Sequence, residues 1–431
     1  MTDTPPPDDE AAGSRPAHAG WVVDHIRTHG PLTVAAFMAK ALTDRDHGYY
    51  RHRPAIGTEA RGGDFTTAPE ISQVFGELIG VWLALAWQQF GAPDRLRIVE
   101  LGPGRGTLIR DARRAFRQVV RTLGEPVPTL DLVLVEINPT LREIQAATLG
   151  TGSQEAMAGH APRWVADVRQ VAGDPSHTGS VDRSGAWPCV LVANEFIDAL
   201  PVSQLVRTER SPTGWAERTV ALDGEERLCF DKGAPAANPV GGAQGGQGTP
   251  NATAAAAIGA IAESRAETLR ALALATTIAG WAAQAPFAGL IIDYGYEGPA
   301  VGDTLQAVAR HRSAHPLAAP GEHDLSAHVD FAELSDVLRN AGLAVAAAGT
   351  NEAAAMNSPA RSLPQATFLE ALGIGARTEA LARDKDAATI NALQSGAARL
   401  IASPGMGDRF RVLHTHSADI LPVYPWGPAP R

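Results

Sequence analysis

The chain is short of cysteine, of charge and of basic residues in particular. Its two cysteines in 431 residues, Cys189 and Cys229, lie 40 positions apart with no Cys-x-x-Cys pair. That excludes a disulfide framework and a cysteine-based zinc site, and it suits a reducing compartment. Charged residues are 19% of the chain, and 37 Lys and Arg face 47 Asp and Glu, for a net charge of −10. A nucleic-acid partner normally leaves a basic footprint, so none is expected. A cationic protein or peptide stays open as a partner. Residues 1–18 (MTDTPPPDDEAAGSRPAH) contain neither an apolar run after a basic start nor an Arg-rich, acid-poor presequence. They read as a disordered tail rather than a targeting signal.

Long apolar runs are also scarce. The stretch from Ala271 to Ile292 carries no charge over 22 residues, enough to span a bilayer by length alone. It is interrupted by Thr276, Thr277, Gly280, Gln284, Pro286 and Gly289. It reads better as an Ala-rich helix over 262–284, stopped before Pro286, followed by a buried strand. No membrane insertion is expected.

What is abundant is glycine (43) and proline (31), within an ordinary hydrophobic content of 45%. Hydrophobicity at that level argues against wholesale disorder, and the length suggests two to three domains. Much of the surplus lies in 233–257, GAPAANPVGGAQGGQGTPNATAAAA, which reads as a flexible insertion.

The remaining pattern alternates strands and helices. Helices are expected from Val22 to about His29, from Thr33 to Leu42, over 70–90, from Thr107 to Leu123, after Pro139 and from Asp330 to Asn340. Apolar strands are expected at Leu96–Leu101, Leu130–Ile137, Arg163–Ala166, Cys189–Ala193, Leu290–Asp293, Leu343–Ala348 and Arg409–Thr415. Continuous apolar strands separated by helices indicate a parallel sheet covered on both faces. Residues 205–227 instead show hairpin turns at Pro212-Thr213-Gly214 and Asp223-Gly224.

Three places carry chemistry. Val99-Glu100-Leu101-Gly102-Pro103-Gly104-Arg105-Gly106-Thr107 runs from a strand through a Gly-rich turn into a helix, where backbone approaches a ligand closely and the helix terminus attracts negative charge. The spacing is neither that of dinucleotide binders nor of a P-loop. An acid two residues before the first glycine, here Glu100, is the pattern of class I methyltransferases that use S-adenosylmethionine. Glu136 closes the second strand, 34 positions after Gly102, where a carboxylate can accept both ribose hydroxyl hydrogens of an adenosine. Asn194-Glu195-Phe196-Ile197-Asp198 follows another buried strand. Its carboxylates can hold a cationic acceptor and align its nitrogen for attack. Each place also has a plain structural reading: an ordinary Gly-rich βα turn, a surface glutamate opening a helix at Glu136, and capping of the following turn by Asn194 or Asp198. His311 and His315 stand four apart, but without a His-Glu-x-x-His pattern, and no metal site is expected.

Taken together, GDFTTAPEISQVFGELIG, VELGPGRGTL, LVEINPTLREIQ, LVANEFIDALPVSQ, LIIDYGY, GDTLQAVARH, PGEHDLSAHVDF and MGDRFRVL resemble the MidA family. Its eukaryotic members are the mitochondrial complex I assembly methyltransferases. The likeness runs in order from about residue 22 to 415. It implies an α/β class I methyltransferase fold, Rossmann-like, with a doubly wound, mostly parallel sheet, an N-terminal helical region and an inserted β-containing substrate subdomain. It implies S-adenosyl-L-methionine as cofactor and protein arginine N-methylation, with a respiratory complex I subunit or a similar protein as partner. Asp64, Thr67, Glu70, Glu100, Gly102, Gly104, Gly106, Glu136 and Asn194 would bind cofactor. Asn194, Glu195 and Asp198 would be catalytic. Glu195, Asp198, Asp293, Tyr294, His328 and Asp330 would touch the acceptor. Without a presequence the chain reads as a bacterial cytoplasmic member, and a homodimer is compatible with it. Methylation of a small molecule and a cofactor-binding assembly chaperone are the rival readings. The expected division is a 1–18 tail, a 19–95 helical region, 96–204 and 286–431 as the two parts of the core, and 205–285 as the insert. A second departure from the family lies at 351–364, where an inserted stretch separates Gly349-Thr350 from Gln365.

Overall fold

The computed structural model describes residues 19–52, 67–150, 161–171, 186–236, 256–347 and 362–429. The tail, Asp64, residues 237–255 of the Gly-rich insertion and residues 351–361 of the late insertion fall outside them. The chain divides into two units. One is built from Pro54–Asp198, Ala266–Gly298 and His328–Arg431, the other from Met1–Arg53, Ala199–Arg265 and Pro299–Ala327.

In the larger unit the seven expected apolar runs do form strands, and two short strands that the sequence does not announce, at Val329–Asp330 and Ser362–Pro364, join them: β1 (Arg95–Leu101), β2 (Thr129–Val135), β3 (Arg163–Val165), β4 (Cys189–Asn194), β5 (Phe287–Tyr296), β6 (Val329–Asp330), β7 (Ala344–Val345), β8 (Ser362–Pro364) and β9 (Phe410–His416). Their order across the sheet is β7-β9-β5-β4-β1-β2-β3, with β6 on β5 and β8 on β9. The pairs among β1 to β5 are parallel, and β9 runs antiparallel to β5. All six residues of β4 are buried, as both faces of a parallel strand require. Register near the amino ends of the strands is set by charge. Arg97 of β1 lies opposite Asp131 of β2 and donates to it at 2.6 Å, and Arg163 of β3 reaches the same carboxylate at 3.1 Å. A buried carboxylate shared by two guanidinium groups is neutralised only in this alignment.

The expected helix over 70–90 is two helices. A short turn, Ala68–Ile71, precedes α1 (Gln73–Gln89). Ser72 between them is extended (φ −153°, ψ 132°), and its hydroxyl accepts from Val74 N at 3.3 Å, so Ser72 caps α1, while Thr67 makes no side-chain cap bond to the short turn before it. α1 packs on α2 (Thr107–Thr122) through Gly80, where a Cβ would lie 2.3 Å from the Ala112 carbonyl oxygen. α3 (Pro139–Thr148) opens on proline and is capped by Asn138, which accepts from Thr140 N and Leu141 N.

The smaller unit holds Leu32–Thr33, Ser203–Arg207, Trp215–Leu222, Leu228–Pro235 and Ile261–Ser264 in one antiparallel sheet, with the expected turns at 212–214 and 223–224. One expectation fails where the chain passes from this unit's Ile261–Ser264 strand into the Ala266–Gly298 segment of the larger one. Residues 262–284 are not a continuous helix. Ile261–Ser264 is a strand, and helices Ala266–Ala271 and Leu274–Ala282 are separated at Ala273, whose φ is +52°. Ile261 and Ala262 bury their side chains beside Ser203–Arg207, and that pairing outweighs helix propensity. A second small sheet pairs Gln306–Ala309 with Arg312–Ala314 and Asp324–Ser326. His311 is the tip of that hairpin at φ +60°, so His311 and His315 do not share a helix face. Among the described residues no helix is long and apolar enough to cross a membrane.

Candidate active site

The chain direction across the sheet reverses between β1 and β4. At such a switch point the loops leaving the two neighbouring strands diverge and open a crevice at their carboxyl ends. The described residues singled out as site candidates lie on those loops or their neighbours.

The loop after β1 is the Gly-rich turn. Gly102, Gly104 and Gly106 have φ of +60°, +53° and +78°, values that L side chains rarely adopt. A Cβ at Gly102 would stand 2.8 Å from the Phe196 ring. The turn leads directly into α2, so the helix's first backbone N–H groups, which have no acceptor within the helix, follow it at once. Thr107, the first residue of α2, donates its hydroxyl proton to Glu70 Oε1 at 2.5 Å. Glu100 is 2% exposed, and no described residue bonds its Oε2. Burial pushes its carboxyl up to about 8.

Glu136 follows β2 and is also buried. Its Oε1 accepts from Asn138 N at 2.8 Å, and its Oε2 from Gln145 Nε2 at 3.2 Å. Burial raises its pKa, against the pull of these bonds and of the Arg142 charge.

The loop after β4 is held from behind. Asp293 of β5 is fully buried. Its Oδ2 accepts from Ile197 N at 2.9 Å and Asp198 N at 3.1 Å, and its Oδ1 from Tyr294 N at 2.9 Å. Asp293 therefore acts as a bracket for the loop, not as a group exposed to an acceptor, which is where the sequence placed it. Glu195 takes φ +51°, an uncommon conformation outside glycine. Its Oε1 accepts from Ala68 N at 3.2 Å and from Asn194 Nδ2 at 3.1 Å. Glu195 thus ties the Thr67–Ile71 segment to the end of β4. Asn194 is buried, and its Oδ1 has no partner among the described residues. Asp198 is 7% exposed.

At the end of β5, Tyr294 meets the rings of exposed His328 (5.5 Å) and of Phe410 (5.6 Å) edge-on. Asp330, paired in register with Tyr296, caps helix Phe331–Asn340 by accepting from Ala332 N at 2.9 Å and Glu333 N at 3.1 Å. Burial, with the charges of Glu333 and Glu297, pushes it up to about 7. All the expected residues that are described, Thr67 to Asp330, belong to the larger unit. Gln145 was not singled out. The signal available was a polar residue four positions from Leu141 on the buried face of α3.

A nine-strand sheet whose seven-strand main path reverses at β1/β4, with an antiparallel strand next to the last of that path, and with a Gly-rich turn and a buried acid on consecutive strands, defines a class I methyltransferase. A sequence family described as "Putative S-adenosyl-L-methionine-dependent methyltransferase" matches residues 78–348, and the chain belongs to it. "Protein arginine methyltransferase NDUFAF7, mitochondrial" of Danio rerio is 33% identical over 388 residues, 89% of this chain and 82% of that protein. The protein of the same name from Homo sapiens is 33% identical over 404 residues, 89% and 80% of the two chains. A crystal structure of a Burkholderia thailandensis protein bound to S-adenosyl-homocysteine has the same fold, with a TM-score of 0.68, 23% identity and coverage of 95% and 94%.

The cofactor of this family is S-adenosyl-L-methionine, and the residues present fit it. The buried Glu100 Oε2, which no described residue bonds, suits an ammonium group, and the cradle at Gly102 admits no side chain.

Proposed function

We propose that this protein transfers the methyl group of S-adenosyl-L-methionine to an arginine side chain of another protein. The carrying observation is the carboxylate-bearing loop Asn194–Asp198, bracketed by Asp293 at the switch point beside the Gly-rich turn. The arginine methyltransferase names of its relatives support the same acceptor. When bound, the cofactor supplies an electrophilic sulfonium methyl. The Gly102–Gly106 turn and the start of α2 receive its amino-acid end, with Glu100 and Asn194 completing that side. Glu136 accepts from the ribose hydroxyls. Thr67 and Glu70 cover the same crevice, Glu70 being fixed by Thr107. Asp198 and Glu195 hold the guanidinium by paired hydrogen bonds, and so turn one nitrogen toward the methyl. As the new N–C bond forms, the methyl's bond to sulfur would break to leave S-adenosyl-homocysteine, and that nitrogen would shed a proton. Asp330, paired beside the end of β5 that carries Tyr294 and raised to about 7, is the group we assign to take it near neutral pH. Tyr294 and His328 form the aromatic wall against which a planar cation stacks.

We assign the unit with the inserted strands to recognition of the protein acceptor, a complex I subunit or a protein like it. A reducing bacterial cytoplasm suits the two free cysteines. A homodimer is part of the same proposal.

The test is to incubate the purified protein with methyl-labelled cofactor and a cell extract. Label in methylated arginine of protein is the expected result. Label confined to small metabolites overturns the protein acceptor. Cofactor binding with no transfer at all leaves only an assembly role. Asp198→Asn should lower turnover by about 10²-fold or more while S-adenosyl-homocysteine still binds.

A further inference from the structure

Helix α3 carries one polar residue on its buried face. Gln145 is fully buried and lies one turn beyond Leu141, where an apolar side chain of the same length would pack as well. Its amide oxygen and both amide hydrogens are engaged. Oε1 accepts from Trp164 Nε1 at 2.7 Å, while Nε2 donates to the Gly104 carbonyl at 2.7 Å and to Glu136 Oε2 at 3.2 Å. The indole can only donate, so the amide oxygen must face Trp164, and the NH2 group must face the two oxygens. Its two hydrogens meet two acceptors, one on the Gly-rich turn after β1, the other on the acid after β2. Gly106 of that turn would place a Cβ only 3.5 Å from the Gln145 Cα and Cγ.

We propose that Gln145 is a positioning residue of the cofactor site, whose amide locks the Gly104 carbonyl and the Glu136 carboxylate into one geometry. Trp164 fixes the amide's orientation from behind. The two halves of the crevice, one for the amino-acid end and one for the ribose, are thereby held at a set spacing before ligand arrives. The proposal rests on the cofactor site described above. It adds the element that couples its two strands.

The coupling has a signature in pH. The Gln145 bond favours the charged form of Glu136 against burial, and Arg142 is the charged group that acts on it alongside. Arg142 sits on the Glu136 carbonyl, with Nε at 2.9 Å, and is unchanged in the variants below. Binding through the Glu136 carboxylate fails as pH falls through its pKa; the limb that buried Glu100 sets at about 8 is common to wild type and variants, so the difference between their profiles reports Glu136. Removing the Gln145 bond raises that pKa further, so binding must fail at a higher pH.

The experiment is calorimetric titration of the full chain with S-adenosyl-homocysteine across the neutral and mildly acid range. Gln145→Met should weaken binding about tenfold and move the acid limb of the profile to higher pH. Trp164→Phe, which frees the amide to rotate, should shift both in the same direction by less. Wild-type affinity and profile in folded Gln145→Met overturn the proposal, as does weaker binding with an unmoved profile, which marks simple packing. If Gln145→Met does not fold, Trp164→Phe with wild-type affinity and profile overturns it. Failure of the wild type to bind the ligand overturns the cofactor site itself, and is a distinct result.

Discussion

Glu100 and Asp293 are both carboxylates on central strands, and both are withdrawn from solvent, yet the structure treats them in opposite ways. Asp293 is satisfied by three backbone N–H groups. Asp293→Asn turns an acceptor into a donor facing donors. It should cost about 1–3 kcal/mol of stability and slow methyl transfer by loosening the Asn194–Asp198 loop, as read by urea denaturation and turnover. Glu100 is left with an oxygen that no described residue bonds, and at about 8 it is protonated at neutral pH in the free protein. A cation delivered beside it would favour the carboxylate. Cofactor binding near neutral pH should therefore release about one proton. Titration in two buffers of different ionisation enthalpy measures it, and Glu100→Gln should abolish the release. Equal apparent heats in both buffers for the wild type would place the ammonium elsewhere.

At the scale of elements, close approach is what α1 and α2 require. They meet at Gly80, against the Ala112 carbonyl and the Ala115 methyl. Gly80→Ala puts a methyl into that contact and should destabilise the protein by about 1–3 kcal/mol. It should also weaken cofactor binding, because α2 begins at the Gly-rich turn. Thermal unfolding with and without S-adenosyl-homocysteine separates the two effects. The elements differ in how far their sequence announces them. The strands of the parallel core were legible because burial on both faces makes them continuous apolar runs, and Pro139 and Asp330 marked helix starts through local chemistry. The turn at Gly102–Gly106 and the acid at Glu136 were legible because their spacing follows from one βαβ unit. Residues 262–284 were not, since their alanines favour helix throughout while the choice at Ile261–Ser264 falls to a partner strand some 60 residues away. Nor could the sequence show Glu195 bonding Ala68, or Asp293 bonding Ile197, because both contacts join segments that only the folded sheet brings together. The helices between Gln365 and Ile401 bury few side chains along their length, and their periodic signal is correspondingly faint.

For the molecule as a whole, the buried titratable groups pull stability in opposite directions with pH. His414 is fully buried in β9. Its Nδ1 donates to the Gly289 carbonyl at 3.0 Å, and its Nε2 accepts from Val423 N at 3.0 Å, so the neutral ring is the one that fits. Burial pushes it down to about 3 from an ordinary 6.5. Between those values the unfolded chain binds the extra proton. The His414 contribution is therefore complete above pH 6.5 and lost as pH falls toward 3, at up to about 1.4 kcal/mol per pH unit. Glu100 and Asp330 act the other way. Raised from 4.5 to about 8 and from 3.8 to about 7, they stabilise the folded state in acid and lose that contribution as pH rises. Two variants separate the opposing slopes. The stability gap between wild type and His414→Gln should be widest above pH 6.5 and shrink on acidification. Glu100→Gln should gain on the wild type as pH rises from about 4.5 to 8 in the absence of cofactor. Saturating S-adenosyl-homocysteine should cancel that gain, because it supplies the charge that Glu100 lacks. Urea unfolding at a series of pH values gives both differences, and a gap independent of pH in either variant would show that the group titrates alike in the folded and unfolded chain.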